Sequence, residues 1–332
     1  IEVDNKMSLK VIWQHLCCLF IFGTVFKGAH WAYCALKTAK KLCKENQYDA
    51  IITKNSPSEL LGSYFKKKKG YKWIATWNDP YPTKKYPKPY GNGVTAKLFI
   101  LESPLLNLME KADYHIFPNQ RIRDYMRSYL NIPSEKTRII PHVVIPREHH
   151  DTPHENLRIV HLGNLLPPRD ATPFLRALTE FNKNEKDAKL EIAFIGQTPQ
   201  SVKDFVNTTH LEKYVKVFPP VKYKESQQIL ESYDIQLIVE APCEEGIFLP
   251  TKVSDSMQLG KPIFTISPSV GVLNDLYKQG HISYFSSVQN EKNILSTLRQ
   301  IYKDFTNGKI KSFSLEKSYS PRTIVQQYNE II

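Results

Sequence analysis

The chain has 332 residues, enough for two α/β domains that each bury a core, and its bulk composition is that of an ordinary soluble globular protein. Its net charge of +12 lies wholly in the first half: residues 1–150 hold 24 Lys and Arg against 12 Asp and Glu, whereas residues 151–332 hold 21 of each. That asymmetry points to an anionic membrane surface, an anionic substrate or nucleic acid, with plain solubility as the bland alternative. No helix-turn-helix, finger or RNP motif is present, so nucleic acid is not expected.

Five cysteines (Cys17, Cys18, Cys34, Cys43, Cys243) form no CxxC pair and no metal-binding spacing, which fits buried thiols in a reducing, cytoplasmic setting. Residues 11–26, VIWQHLCCLFIFGTVF, are uncharged but shorter than the roughly 20 apolar residues of a membrane span. They read as a buried helix, or as a surface that dips into the lipid interface. The chain opens at Ile1 without a cleavable signal peptide, and a preceding segment is expected to be missing.

After residue 30, helical text alternates with short apolar runs, the mark of βαβ units. WAYCALKTAKKLCKE reads as a helix and YDAIITKN as a strand. Ser56-Pro57-Ser58-Glu59 then opens a helix, by Ser capping and an acid in the first turn, which ends at Lys66–Lys69 and Gly70. KWIATW is the next strand, and NDPYPTKKYPKPYGNG a proline-rich loop at its carboxyl end. A long helix over 98–111, strand DYHIFPN, helix RIRDYMRSYL and strand TRIIPHVV complete the first half.

IPREHHDTPHEN reads as the linker; its His149, His150 and His154 are more simply solvated than metal-bound. From LRIVHLGN onward, strands and helices alternate in a doubly wound α/β pattern of about 165 residues. Ligands of such a domain lie at strand carboxyl ends, where helix N-termini present amides to phosphate.

Two strand-end segments stand out. In HLGNLLPPRD a strand ends at Gly163, the loop turns through Pro167 and Pro168, and Arg169 arrives just before a helix. A nucleotide diphosphate leaving group needs such cationic and N–H donors. In CEEGIFLPTKVSDSMQLGKP, Glu244 and Glu245 precede a glycine and an apolar pair, and Pro250 starts a helix carrying Lys252 and Asp255. A carboxylate there can accept from ribose hydroxyls; equally, Glu245 is a solvated loop acid and Asp255 a surface residue.

Together the segments resemble the family-4 retaining glycosyltransferases, whose nucleotide domain carries a Gly–Arg–Leu loop, a following Lys and a Glu-x7-Glu motif. Gly163 and Asn164 match the Gly–Arg place, Arg169 that of the phosphate-binding Lys, Asp255 the second Glu and Glu245 the first, here with nine residues between them in place of seven. The resemblance extends to YDAIITKNSPSELLG, GYKWIATWNDPYP and KADYHIFPNQRIRDYMRSYLNIPSEKTRIIPHVV, and to the closing SYSPRTIVQQYNEII. The family's first strand and Gly-rich acceptor loop have no counterpart.

The resemblance implies an α/β GT-B fold of two Rossmann-like doubly wound domains facing a cleft, the first truncated. The boundaries expected are an acceptor-binding domain over 1–148, a linker over 149–156, a nucleotide-sugar domain over 157–317 and a C-terminal helix over 318–332 that returns to the first. It also implies retaining transfer from a nucleotide-sugar to a glycan or lipid-linked acceptor in cell-surface polysaccharide assembly. Asn78, Asp79, Arg169 and Glu245 are the expected catalytic residues, with Asn78 and Asp79 equally readable as the start of a turn. Gly163, Asn164, Arg169, Gly246, Ile247, Phe248, Thr251, Lys252 and Asp255 are the expected donor-binding residues. With protein cations holding the diphosphate, neither a metal nor a further cofactor is expected. KKKKGYKW and the loop 81–90 are the candidates for contact with anionic lipid at the inner face of the plasma membrane. An epimerase of the same fold and a non-catalytic nucleotide-sugar-binding subunit remain open.

Overall fold

The computed structural model describes residues 8–148, 154–311 and 317–332, and divides them into two units. His149 and His150, most of the expected linker and the first seven residues lie outside the described residues.

The first unit spans the chain to Pro141 and takes in Ile324–Ile332. Helices α1 (Leu9–Phe22) and α2 (His30–Glu45) precede a parallel sheet of β1 (Ala50–Lys54), β2 (Lys72–Thr76), β3 (Tyr114–Phe117) and β4 (Thr137–Ile139), laid down in chain order. Helices α3 (Glu59–Lys69), α4 (Ser103–Met109) and α5 (Gln120–Arg127) connect them. Gly62 lets α3 lie against β2, because a Cβ there would stand 2.1 Å from the Trp73 indole nitrogen. Ile74, Ile116 and Ile140 form a cluster with Ile324 and Ile331 of the C-terminal segment, and Lys72 donates to the Ile332 carbonyl at 2.8 Å.

Three local expectations change. The helix expected over 98–111 is only α4: Pro104 fits its first turn, and residues 94–102 are turn and loop. α1 is not a buried helix. Val11, Gln14 and Cys18 face inward, while Leu9, Ile12, Trp13, Leu16 and Phe20 on the opposite face are exposed. Its 14 residues are also too few to cross a membrane, and no helix among the described residues is long and apolar enough to do so. Ser58 does not cap α3 with its side chain. Its hydroxyl donates to the Asn55 carbonyl at 2.6 Å and accepts from the Lys54 amide at 3.0 Å. The next residue, Glu59, is fully buried with no hydrogen-bond partner on either oxygen, and burial pushes its carboxyl up to about 8.

The second unit, His142–Thr323, holds a six-stranded parallel sheet in the order β10-β9-β8-β5-β6-β7. The strands are β5 (Leu157–Leu162), β6 (Leu190–Ile195), β7 (Val215–Phe218), β8 (Ile235–Val239), β9 (Ile263–Ser267) and β10 (Tyr284–Ser287). Helices α6 (Thr172–Asn184), α7 (Gln200–Thr208), α8 (Tyr223–Glu231), α9 (Thr251–Gln258), α10 (Val272–Lys278) and α11 (Glu291–Thr306) link and follow them, and α12 (Pro321–Asn329) closes the chain. Both faces are covered, so the central strands are mostly apolar and every residue of β8 and β9 is buried, the polar Gln236, Thr265 and Ser267 included. Phe174, Leu178, Phe194, Phe264 and Leu298 anchor the larger core cluster.

Candidate functional site

Chain order in the second sheet reverses between β5 and β8, which pair at Ile159 and Ile235. Open parallel sheets take their ligands beyond the carboxyl ends of the strands at such a reversal. Here those ends carry Gly163, one residue past β5, and Glu240, one residue past β8.

Gly163 has φ +103°, a conformation L side chains rarely adopt, and its amide donates to the Ile195 carbonyl at 2.7 Å. The space a Cβ would need is occupied by Lys252, whose Cε and Nζ would lie 2.9 and 3.1 Å from it. Gly196 beyond β6 is as constrained: a Cβ there would meet the Gly163 carbonyl oxygen at 2.3 Å. The expected glycine therefore does sit at a close approach, but of a lysine side chain and a second backbone. Asn164 is tied to the neighbouring loop, its side-chain oxygen accepting from the Gln197 amide at 3.1 Å.

Downstream, Leu165 is buried and anchors the loop through its amide to the Gln197 carbonyl, and the Arg169 amide closes a turn onto Leu166. The Arg169 guanidinium reaches Glu240, Nε to Oε1 at 3.2 Å, with the carboxylate only 10% exposed. Sequence reasoning missed Glu240. Its one signal was an acid directly after the wholly apolar end of IQLIV, where a strand leaves the core.

Helix α9 begins after Pro250 with no side-chain cap, so its first amides are unclaimed by a capping residue. Ser256, fully buried, donates to Gln236 of β8 and fixes the helix on the sheet. This anchoring presents Lys252 and Asp255 on the same side. Burial, then Arg169, lowers the Lys252 pKa, while Glu240 and Asp255 act against the shift. Asp255 is raised by burial and held down by a hydrogen bond from the Tyr223 hydroxyl, 3.0 Å from its Oδ1, and by Lys252. Tyr223, the first residue of α8, is a second member that sequence reasoning missed. Under this group lies His161, whose Nδ1 donates to the Leu237 carbonyl at 3.1 Å; burial first, then Lys252, lowers its pKa to about 3, so the ring is neutral.

Gly163, Arg169, Glu240 and Asp255 thus gather around Lys252. The loop before α9 is arranged differently from the expectation. Gly246 was expected at the donor, but its amide donates to the Val270 carbonyl and its carbonyl accepts from the Val272 amide, in a bridge to Gly271. The Ile247 side chain is fully buried and faces the core. Phe248 is half-buried, Thr251 starts α9 in an exposed position, and Glu245 is exposed, its carbonyl accepting from the Cys243 thiol at 3.3 Å.

In the first unit, Asn78 and Asp79 follow β2, and the Asn78 amide donates to the side chain of Asn55, a residue at φ 55°. The loop after them is pinned to α5. Tyr129 donates to the Tyr81 carbonyl at 2.9 Å and Tyr125 to the Lys85 carbonyl at 2.6 Å, while Lys85 itself is buried with its ammonium on the Val94 carbonyl. Lys66 is likewise engaged, at 2.6 Å from Asp113. Among the described residues no group of three His, Cys, Asp or Glu side chains could hold a metal ion.

Arg169 and Lys252 beside the Glu240 carboxylate, a helix N-terminus without a side-chain cap, and a carboxylate able to accept from hydroxyls are the kinds of group that can take a nucleoside diphosphate. Residues 19–148 match the family model of Glycosyltransferase Family 4. A search of curated protein sequences gives no match. Among solved structures, the lipopolysaccharide outer core galactosyltransferase WaaB is similar at 13% identity and TM-score 0.57, over 91% of this chain and 79% of that one. A glycosyltransferase from Rickettsia africae is similar at 10% identity and TM-score 0.64, over 100% and 83%. The pneumococcal O-GlcNAc transferase GtfA, in complex with UDP and GlcNAc, is similar at 11% identity and TM-score 0.60, over 93% of this chain and 60% of that one. The fold is GT-B. The family match falls on the first unit, and the pair of parallel sheets is the architecture shared with these glycosyltransferase structures.

Proposed function

We propose that the chain transfers a sugar from a nucleotide-sugar to a glycan or lipid-linked acceptor with retention at the anomeric carbon, in capsule, O-antigen or exopolysaccharide assembly. The observation that carries the donor half of this reading is the placement of Arg169 and Lys252 at the strand reversal, with α9 opening beside them. The UDP complex of the pneumococcal neighbour supports the same ligand class. The two side chains and the α9 amides neutralise charge as the sugar–phosphate bond breaks. The Asp255 carboxylate takes ribose hydroxyls. The leaving diphosphate oxygen accepts the acceptor's proton, while Asn78 and Asp79 belong to the acceptor-binding unit.

With two protein cations at the phosphates, transfer proceeds without a metal, and full activity in chelator is the expected result. The enzyme works in the cytoplasm, peripherally at the inner face of the plasma membrane, as the basic first half supports. The test is a thermal-shift screen with UDP, GDP and their sugars against the parent protein, Arg169→Ala and Asp255→Ala. A shift in the parent that both variants lose is expected; no shift with any nucleotide, or equal shifts in all three proteins, overturns the reading.

A further inference from the structure

Helices α2 and α3 enclose a groove of about 430 Å³ whose walls carry six lysines: Lys37, Lys40, Lys41 and Lys44 from α2, Lys68 and Lys69 from α3. The four on α2 recur at the i, i+3, i+4, i+7 spacing of one helix face. Lys40 lies over the Tyr64 ring at 4.9 Å, and Lys41 stands 3.8 Å from Glu45 in an exposed pair. Lys37, Lys44, Lys68 and Lys69 make no ion pair or hydrogen bond among the described residues. Six like charges in one concave wall repel each other, and a bound anion relieves that repulsion.

Helix α1 packs against both α2 and α3, and Tyr64 of the groove meets Phe22 on its inner face edge-on at 6.2 Å. On the outer face of that same helix Leu9 and Phe20 are each 87% exposed and Trp13 is 63% exposed. Leu9, Trp13, Leu16 and Phe20 recur at helical spacing, opposite the buried Val11, Gln14 and Cys18. A polyanion alone asks for lysines and leaves this stripe without a use. An anionic bilayer surface takes both, with apolar side chains entering the acyl boundary beside basic residues at the headgroups.

We propose that α1, α2 and α3 form a membrane-docking surface on which the α1 stripe enters the lipid interface and the α2–α3 lysine groove holds anionic phospholipid headgroups. The proposal rests on the peripheral-membrane reading above and assigns it to residues other than the loop 81–90 and Lys66. It also divides the basic run of α3, since Lys66 is spent on Asp113 while Lys68 and Lys69 face the groove.

The experiment is co-sedimentation of the full chain with phosphatidylcholine vesicles, with and without phosphatidylglycerol. The expected result is binding only to the anionic vesicles and weakening with salt. At roughly fivefold per lysine, Lys37→Ala/Lys40→Ala/Lys44→Ala should lower the partition about a hundredfold. Trp13→Ser/Phe20→Ser should abolish it while leaving the nucleotide thermal shift intact, which shows that both variants fold. Inorganic pyrophosphate at the concentration of lipid phosphate should compete weakly. If the parent binds and both variants bind equally, this surface is wrong and the membrane reading stands. If the parent binds neither vesicle, both are overturned, as they are if duplex DNA is retained in preference to anionic lipid.

Discussion

Lys252 occupies the space that a side chain on Gly163 would fill, with its Cε only 2.9 Å from where that Cβ would stand. The positive φ of this glycine and the position of the lysine are therefore one requirement. Gly163→Ala should cost about 1–2 kcal/mol from the backbone alone. It should also push the ammonium aside and weaken nucleoside diphosphate binding by about tenfold. Urea denaturation and calorimetric titration with UDP and GDP read the two effects separately; unchanged affinity would show that Lys252 does not contact the phosphates.

Arg169 and Glu240 should respond with opposite signs. Removing the guanidinium with Arg169→Ala deletes a cation and should lower diphosphate affinity by about tenfold or more. Glu240→Gln removes the carboxylate that offsets it, so affinity should rise several-fold while the transfer rate falls, because Arg169 loses the anchor that orients it. Titration with nucleotide and a turnover assay give both numbers, and a parallel fall in affinity for the two variants contradicts this account.

Tyr223 takes part of the Asp255 carboxylate that the proposed function assigns to ribose: its hydroxyl donates to Oδ1 at 3.0 Å, so a ribose bound there as proposed shares that oxygen with it or displaces it. Tyr223→Phe should tighten nucleotide binding about twofold to fivefold, whereas Asp255→Asn should loosen it by about tenfold. A 2′,3′-dideoxy nucleotide should erase both differences, and failure to do so moves the ribose elsewhere.

Two buried groups set the dependence of stability on pH. Glu59, raised to about 8, keeps its proton in the folded unit but loses it in the unfolded chain above 4.5. Stability therefore falls as pH rises from 4.5 to 8, with a slope of at most about 1.4 kcal/mol per pH unit. His161, lowered to about 3, has the reverse sign of proton uptake: the unfolded chain binds a proton below 6.5 that the folded unit refuses, so stability is lost as pH falls from 6.5 towards 3. Urea unfolding across pH should show Glu59→Gln gaining on the parent steadily above pH 5; parallel curves would place the Glu59 carboxyl near its ordinary value.

The strand ends were the legible part of this chain, because a glycine after an apolar run and a helix opened by proline are local signals. Gly163, Arg169, Lys252 and Asp255 were all readable on that basis. The backbone bridge of Gly246 to Gly271 was not, since the two lie 25 residues apart in sequence and no local pattern shows that pairing. Glu240 and Tyr223 escaped for the same reason, their roles lying in partners brought in by other strands and helices. The helix at 98–111 was overextended where apolar residues happen to follow helical spacing through what folds as turn and loop. In α1 the hydropathy was read correctly, but which apolar residues face inward depends on α2 and α3.

The order β10-β9-β8-β5-β6-β7 also sets which contacts are local in sequence and which are distant. β5 is the shared template from which the sheet grows outward in both directions, first through β6 and β7 and only later through β8, whose contact with β5 joins residues 76 apart, as in His161 and Leu237. Contacts of that separation form late. Arg169 is synthesised before its carboxylate Glu240 and its companion Lys252, and the three come together only once β8 has joined β5, so nucleotide affinity should report closure of the second half of the sheet.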